Sequence, residues 1–180
     1  MATIDLHFVD ELIALRQAQH GGGRGAPLIQ GGFRIGASAN RGCIVILSAL
    51  LQAYIEDVFQ ETAKRCFPAL ANNPVAFDSY WQQLKKGWGN PSDVNIVRLF
   101  LKLGVPDVFA GLSWQGTQNA ALRKKLDVLN QVRNRIAHGA ATLTVDGTPY
   151  SLTLAKVVVF RNTVQSLASR FEGQVANFIP

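Results

Sequence analysis

Between Cys43 and Thr62 the chain carries large apolar side chains at Ile44, Val45, Leu47, Leu50, Leu51, Tyr54, Ile55, Val58 and Phe59. At helical spacing these positions point in almost every direction, and a helix that is apolar all round must be hidden all round. Such an element belongs at the centre of a bundle or in a subunit interface, and it commits the rest of the chain to covering it. The most apolar run, CIVILSALLQAYI, is interrupted by Gln52 after about ten residues, too short to cross a bilayer. Gln52 and Glu56 are four apart and share one face. They are either solvated surface or a polar contact to a site on a neighbouring helix.

The segments around this helix read as further helices within one domain of 180 residues, long enough to bury a core without staples. Residues 1–19 form an amphipathic helix with Phe8, Val9, Leu12, Ile13 and Leu15 as its apolar side. Residues 20–42 hold eight of the sixteen glycines and are read as a flexible connector or exposed arm. They lack both the G-K-[ST] ending and the preceding strand of a phosphate-cradling P-loop. In the helical core, 43–180, turn signals stand at Asn72-Asn73-Pro74 and Gly89-Asn90-Pro91. Ser92 is the expected N-cap of a helix that closes at Gly104, and Thr117 the cap of one running to His138. Asp146-Gly147 between Thr and Val residues suits a short β-hairpin. Phe160, Val164, Leu167, Phe171, Val175 and Phe178 then form a core stripe on the last helix. The fold class is all-α, a helical bundle with a short hairpin ahead of its final helix.

A net charge of +6, with 18 Lys+Arg against 12 Asp+Glu, favours a polyanionic partner such as RNA or DNA. Cys43 and Cys66 show no C-x-x-C spacing and read as reduced core thiols. The N-terminus carries Asp5, Asp10 and Glu11 and lacks a basic signal region, so a cytoplasmic protein with no membrane partner is expected. No cofactor is expected. With His7 and His20 as the other histidines and no acidic cluster, a metal-dependent nuclease is disfavoured.

The segment NQVRNRIAHGA, 130–140, admits a mechanical and a chemical reading. Mechanically, a helix ends with basic side chains in its last turn and Gly139 in the left-handed conformation. Chemically, Arg133, Asn134 and His138 are able to hold and cut a phosphodiester. Leu122, Leu126, Leu129, Val132 and Ile136 gather on one arc of this helix, and Arg133 falls inside it, so its guanidinium must find an anion, a dimer partner or a crevice. Asp127, Asn130, Asn134 and His138 form a second stripe. Cleavage through a 2′-hydroxyl needs a base, an acid and a cation at the charging phosphorane. Histidine supplies the first two near neutral pH, and arginine's fork matches phosphate oxygens. Arg123, Lys124, Lys125 and Arg135 lie on the same helix and are candidate RNA contacts, with a solvated helix face as the alternative. Tyr80, Trp81, Trp88 and Trp114 are stacking candidates, more simply core or interface.

RNRIAHG resembles the R-x4-6-H signature of the HEPN superfamily, in the form where Asn follows the Arg and Gly follows the His. From about Arg41 onward the similarity continues. IVILSALLQAYIEDVF is similar to the first core helix, and NIVRLFLKLGVPDVFAGLSW to the segment ahead of the motif in RiboL-PSP and MAE_28990 types. SLTLAKVVVFRNTVQSLASRFEGQVANFI is similar to their terminal helix. The resemblance implies a helical bundle that dimerises, pairing two motifs in one cleft, and a metal-independent endoribonuclease of toxin–antitoxin or phage-defence systems, with a cognate antitoxin as partner. It further implies Arg133 as phosphate-binding residue, Asn134 as polar support and His138 as acid–base residue. Gln52 stands where a Glu is common, and the Gly-rich segment has no evident counterpart. Some members of the superfamily only bind or assemble, so a non-catalytic RNA-binding or protein-interaction module is the alternative; a bundle in which the motif is merely a helix cap is the third.

Overall fold

In the computed structural model, the described residues are 2–19, 21–25, 29–30, 33–34 and 36–179. His20 and residues 26–28, 31, 32 and 35 of the Gly-rich segment lie outside them. The helices are α1 (His7–Ala18), α2 (Ala37–Cys66), α3 (Pro68–Ala71), α4 (Pro74–Lys85), α5 (Asp93–Leu101), α6 (Asn119–Ala137) and α7 (Leu154–Ala176). Two short antiparallel hairpins join them: β1 (Ile29–Gln30) with β2 (Phe33–Arg34), and β3 (Thr144–Val145) with β4 (Thr148–Pro149). The bundle is all-α, as the apolar pattern requires.

α2 is its axis, packed by α1, α6 and α7. Cys43, Ile44, Leu47, Leu51, Ile55, Val58 and Phe59 are fully buried along it, each large side chain contributing roughly 1.5–3 kcal/mol. The helix starts at Ala37, six residues before the apolar run, and carries Gly42 inside it. Long-range contacts override the glycine-rich composition here. Asn40 donates its side-chain N–H to the Leu152 carbonyl at 2.9 Å, and Arg41 reaches the Ala140 and Ala141 carbonyls at 3.0 and 2.8 Å. These bonds set the start of α2 beside the end of α6. At 30 residues α2 is also longer than its apolar run suggested. Its mean hydropathy of 1.6 over the most apolar stretch would suit a membrane span by length and composition, but half of that stretch is buried within the bundle.

Aromatic rings close the core at the far end. Phe171 of α7 meets Phe100 of α5 at 5.3 Å, Phe109 at 6.0 Å and Tyr54 of α2 at 6.5 Å, while Phe59 packs on Trp81 and Phe100. Edge-to-face geometry of this kind adds to the area term.

Local chemistry behaves mostly as the sequence implies. Ser92 caps α5 by accepting from Asn95 N–H, and Gly104 is left-handed at φ 83°. Asp146 and Gly147 both take positive φ, 50° and 76°, the type I′ turn that matches strand twist.

Four expectations need correcting. Val9 is buried as expected, but Phe8 and Leu15 of α1 are 68% and 62% exposed, because the inward side runs through Val9 and Arg16. Phe178 lies beyond α7 and is largely out of the core. The N-cap of α6 is Gln118, while Thr117 is held in a bridge with Trp114. Cys43 is buried as a free thiol, but Cys66 is only half-buried.

Candidate functional site

The end of α6 is built by its own backbone. Gly139, at φ 70°, donates its N–H to the Ile136 carbonyl, and Ala140 donates to the Arg135 carbonyl, both at 3.0 Å. This pair of bonds is a Schellman closure, which ends a helix where a residue tolerates the left-handed region. His138 is thereby the C-cap residue, its N–H bonded to the Asn134 carbonyl at 3.0 Å and its side chain exposed. The mechanical reading of the segment is correct, and it leaves the imidazole at the surface.

Asn134 is the hub of the site. Its Oδ1 accepts from Asn90 Nδ2 at 2.5 Å and from Arg133 Nη1 at 3.3 Å. Asn90 lies 44 residues away in sequence and is brought in by the turn before α5. There its own carbonyl accepts from Asn95 Nδ2 and Ser92 N–H, both at 2.8 Å. Sequence reasoning placed Asn90 only in a turn signal; the Gly-Asn-Pro spacing marks the turn but not its destination. Arg133 is half-buried, and among the described residues no carboxylate pairs with it. Its guanidinium donates to the Asn134 side chain. One turn earlier, Asn130 keeps its Oδ1 buried without a donor, an orphan acceptor that costs about 1–3 kcal/mol if left unmade.

A second polar group supports the Asn90 loop from α2. Glu56 accepts from Trp88 Nε1 at 2.8 Å and from Gln52 Nε2 at 3.1 Å, and pairs with Lys85 at 2.8 Å. Burial raises the Glu56 pKa, but the hydrogen bonds from Lys85, Gln52 and Trp88 and the Lys85 charge outweigh it and hold the carboxyl below its ordinary value. Of the two residues, Glu56 makes the polar contacts to neighbouring segments, at Lys85 of α4 and at Trp88, two residues from Asn90, while Gln52 bonds to Glu56 itself.

The basic residues of α6 have different surroundings. Arg123 places Nη2 2.6 Å from both Asp107 oxygens and Nη1 3.7 Å from Asp93, donates to Asn119 at 2.8 Å and covers the Phe109 ring. It ties α6 to α5 and the turn that follows. Lys124 pairs with Asp146 at 2.6 Å and Asp127 at 3.4 Å. Lys125 reaches only the neutral Thr117 hydroxyl at 3.2 Å, and Arg135 is exposed at the motif end. The aromatic candidates are mostly structural: Trp81 is buried, and Trp88 and Trp114 are half-buried under Glu56 and Arg170 contacts. Among the described residues no three of His, Cys, Asp and Glu are grouped to hold a metal.

A helical bundle with an Arg-Asn-x3-His motif closing its penultimate helix is the architecture of a HEPN domain. The RiboL-PSP-HEPN family model matches residues 34–177, and the chain belongs to that family. The match opens at Arg34, so the end of the Gly-rich segment, including the first turns of α2, does have a family counterpart. No curated protein and no solved structure matches the chain. In general terms the family supports an RNA-related, nuclease-type domain.

Proposed function

We propose that this protein is an endoribonuclease that works without a metal, with the cleavage site assembled from two copies of the α6 terminus. The observation that carries this is the environment of Arg133: a half-buried guanidinium bonded to Asn134 and, among the described residues, without a carboxylate partner. Such a group is ready to take a phosphate, and its charge is not already cancelled.

His138 follows Arg133 by five residues, which turns it roughly 140° around the helix and about 7.5 Å along it. Within one chain the two side chains therefore leave α6 on different sides. A second copy, related by a two-fold axis, brings each Arg133 toward the partner's His138 and offers a donor to the orphan Asn130 acceptor. In that cleft His138 removes the 2′-hydroxyl proton or protonates the leaving oxygen, and Arg133 stabilises the phosphorane. Arg135 and Lys125 contact the flanking backbone; Lys124 adds less, since two acids already neutralise it. A cytoplasmic toxin or phage-defence component held in check by an antitoxin fits this activity.

The test is incubation of the purified protein with end-labelled RNA in EDTA. Cleavage that survives the chelator and falls at least about 100-fold in His138→Ala and in Arg133→Ala is the expected result. A folded dimer that cuts no RNA in a varied pool favours a non-catalytic RNA-binding or protein-interaction module. A folded monomer without cleavage reduces the motif to a helix cap.

A further inference from the structure

Two cavities meet at Tyr150, beyond the motif. The first, about 400 Å³, runs from Arg41 past Thr142 to Tyr150. Because Arg41 is bonded to the carbonyls of Ala140 and Ala141, this cavity opens within two or three residues of His138. The second, about 220 Å³, lies on the other side of Tyr150 between α6 and α7; Val128 and Phe160 give it apolar walls, and Lys124, Lys125 and Lys156 surround it.

Charge in this groove is unbalanced. Arg41 and Lys125 donate only to neutral oxygens, and Lys156 donates to the Ser151 carbonyl at 2.8 Å while standing 3.8 Å from the Tyr150 ring centroid. Among the described residues none of the three forms an ion pair, whereas Lys124 has two acids. Cations spaced along a groove with apolar and aromatic walls match a ligand that alternates phosphates with flat bases. An acidic peptide would satisfy the charges but leave those walls bare. Burial raises the Tyr150 pKa above its ordinary value.

We propose that the groove formed by Arg41, Tyr150, Lys125 and Lys156 binds single-stranded RNA flanking the phosphate held at the α6 terminus. Lys125 and Lys156 neutralise phosphates, and the Tyr150 region takes an intervening base. Val128 lies about 15 Å from His138 along the helix axis, so the groove engages nucleotides beyond the cleavage point. The choice of RNA rests on the endoribonuclease reading above; the groove itself lies within one chain and needs no dimer.

The experiment measures anisotropy of a fluorescein-labelled oligouridylate on the full chain carrying His138→Ala, in EDTA, across a salt series. Adding Lys125→Gln and Lys156→Gln together is expected to flatten the log affinity against log salt slope by about 1.4 and to weaken binding roughly 20-fold at 0.1 M salt. Lys124→Gln, the internal control, changes the slope by less than half as much. An unchanged slope and affinity in a double variant with native circular dichroism overturns the groove. So does loss of oligoglutamate binding in the double variant with RNA binding intact, which assigns the lysines to an acidic protein partner. Cleavage by the wild type is scored separately. A lysine-dependent slope without cleavage retires the nuclease and keeps the groove, and cleavage with an unchanged slope does the reverse.

Discussion

Gly139 is the position where helix termination and site geometry separate experimentally. It holds φ 70°, and a Cβ built there meets nothing within 4 Å. Gly139→Ala therefore carries no steric penalty, only the cost of a left-handed alanine, about 1–2 kcal/mol. Alanine also narrows the unfolded ensemble, which returns about 0.4–1 kcal/mol. The net expectation is a loss of roughly 0.5–1 kcal/mol, or about 1–4 °C in Tm for a chain of this size. Asparagine, which tolerates the left-handed region, should fall between glycine and alanine. Denaturant titration with thermal melts measures this directly. The sign is decisive, since Gly→Ala inside a continuing helix stabilises by about 0.5–1 kcal/mol. An alanine variant more stable than the parent would mean that α6 runs on past His138, and the surface position argued for the imidazole would be wrong.

Three further perturbations probe the surrounding framework. Glu56 has a depressed folded-state pKa, so its contribution is present above the unfolded carboxyl value and lost as pH falls through the folded one. Glu56→Gln should be less stable than the parent near pH 7, with the gap in denaturant midpoint closing as pH falls below the ordinary carboxylate range; a gap unchanged at low pH contradicts the ion-pair role. Arg123→Met, removing a quarter-exposed guanidinium from Asp107 and Asp93, should cost about 1–2 kcal/mol after allowance for solvent screening. It should leave the salt slope of RNA binding unaltered, and a drop of about 0.7 in that slope would instead make Arg123 an RNA contact. Phe171→Ala, at the meeting of three rings, should lose about 3–5 kcal/mol, read from chemical denaturation; a cost under about 1 kcal/mol would show the core collapsing around the gap.

Family membership and local geometry bear on different parts of the activity. The RiboL-PSP-HEPN match covers residues 34–177, which hold α2 to α7 and leave out α1. The proposed catalysis rests on something narrower: an Arg133 bonded to Asn134 with no carboxylate partner among the described residues, and an exposed His138 at the end of the same helix. Gln52, standing where a Glu is common in the superfamily, does not touch this hub. It bonds to Glu56, whose carboxylate grips Trp88 of the Asn90 loop. The carboxylate on this face of α2 is Glu56, one turn later, and it supports the loop.

Features governed by a few neighbouring residues were legible in the sequence. The all-round apolar pattern of α2 dictated a central helix, Ser92 a cap, Asp146-Gly147 a type I′ hairpin, and Gly139 the end of α6 beneath His138. Each depends on backbone sterics or on the periodicity of one element, and both are written within a dozen residues. Where contacts join distant segments, the same signals misled or fell silent. Phe8 and Leu15 sit on an amphipathic helix yet face outward, because docking chose Val9 and Arg16 as its inner side. Gly42 stands inside a helix because Asn40 and Arg41 anchor that turn to Leu152, Ala140 and Ala141. Arg123 looked like a free cation until the fold set Asp107 and Asp93 against it, and Asn90 joined the motif only when the α5 turn folded over α6. Local chemistry determined which residues could make a site; the tertiary contacts decided which charges stayed uncancelled, because pairing energy depends on distances that only the packed chain defines.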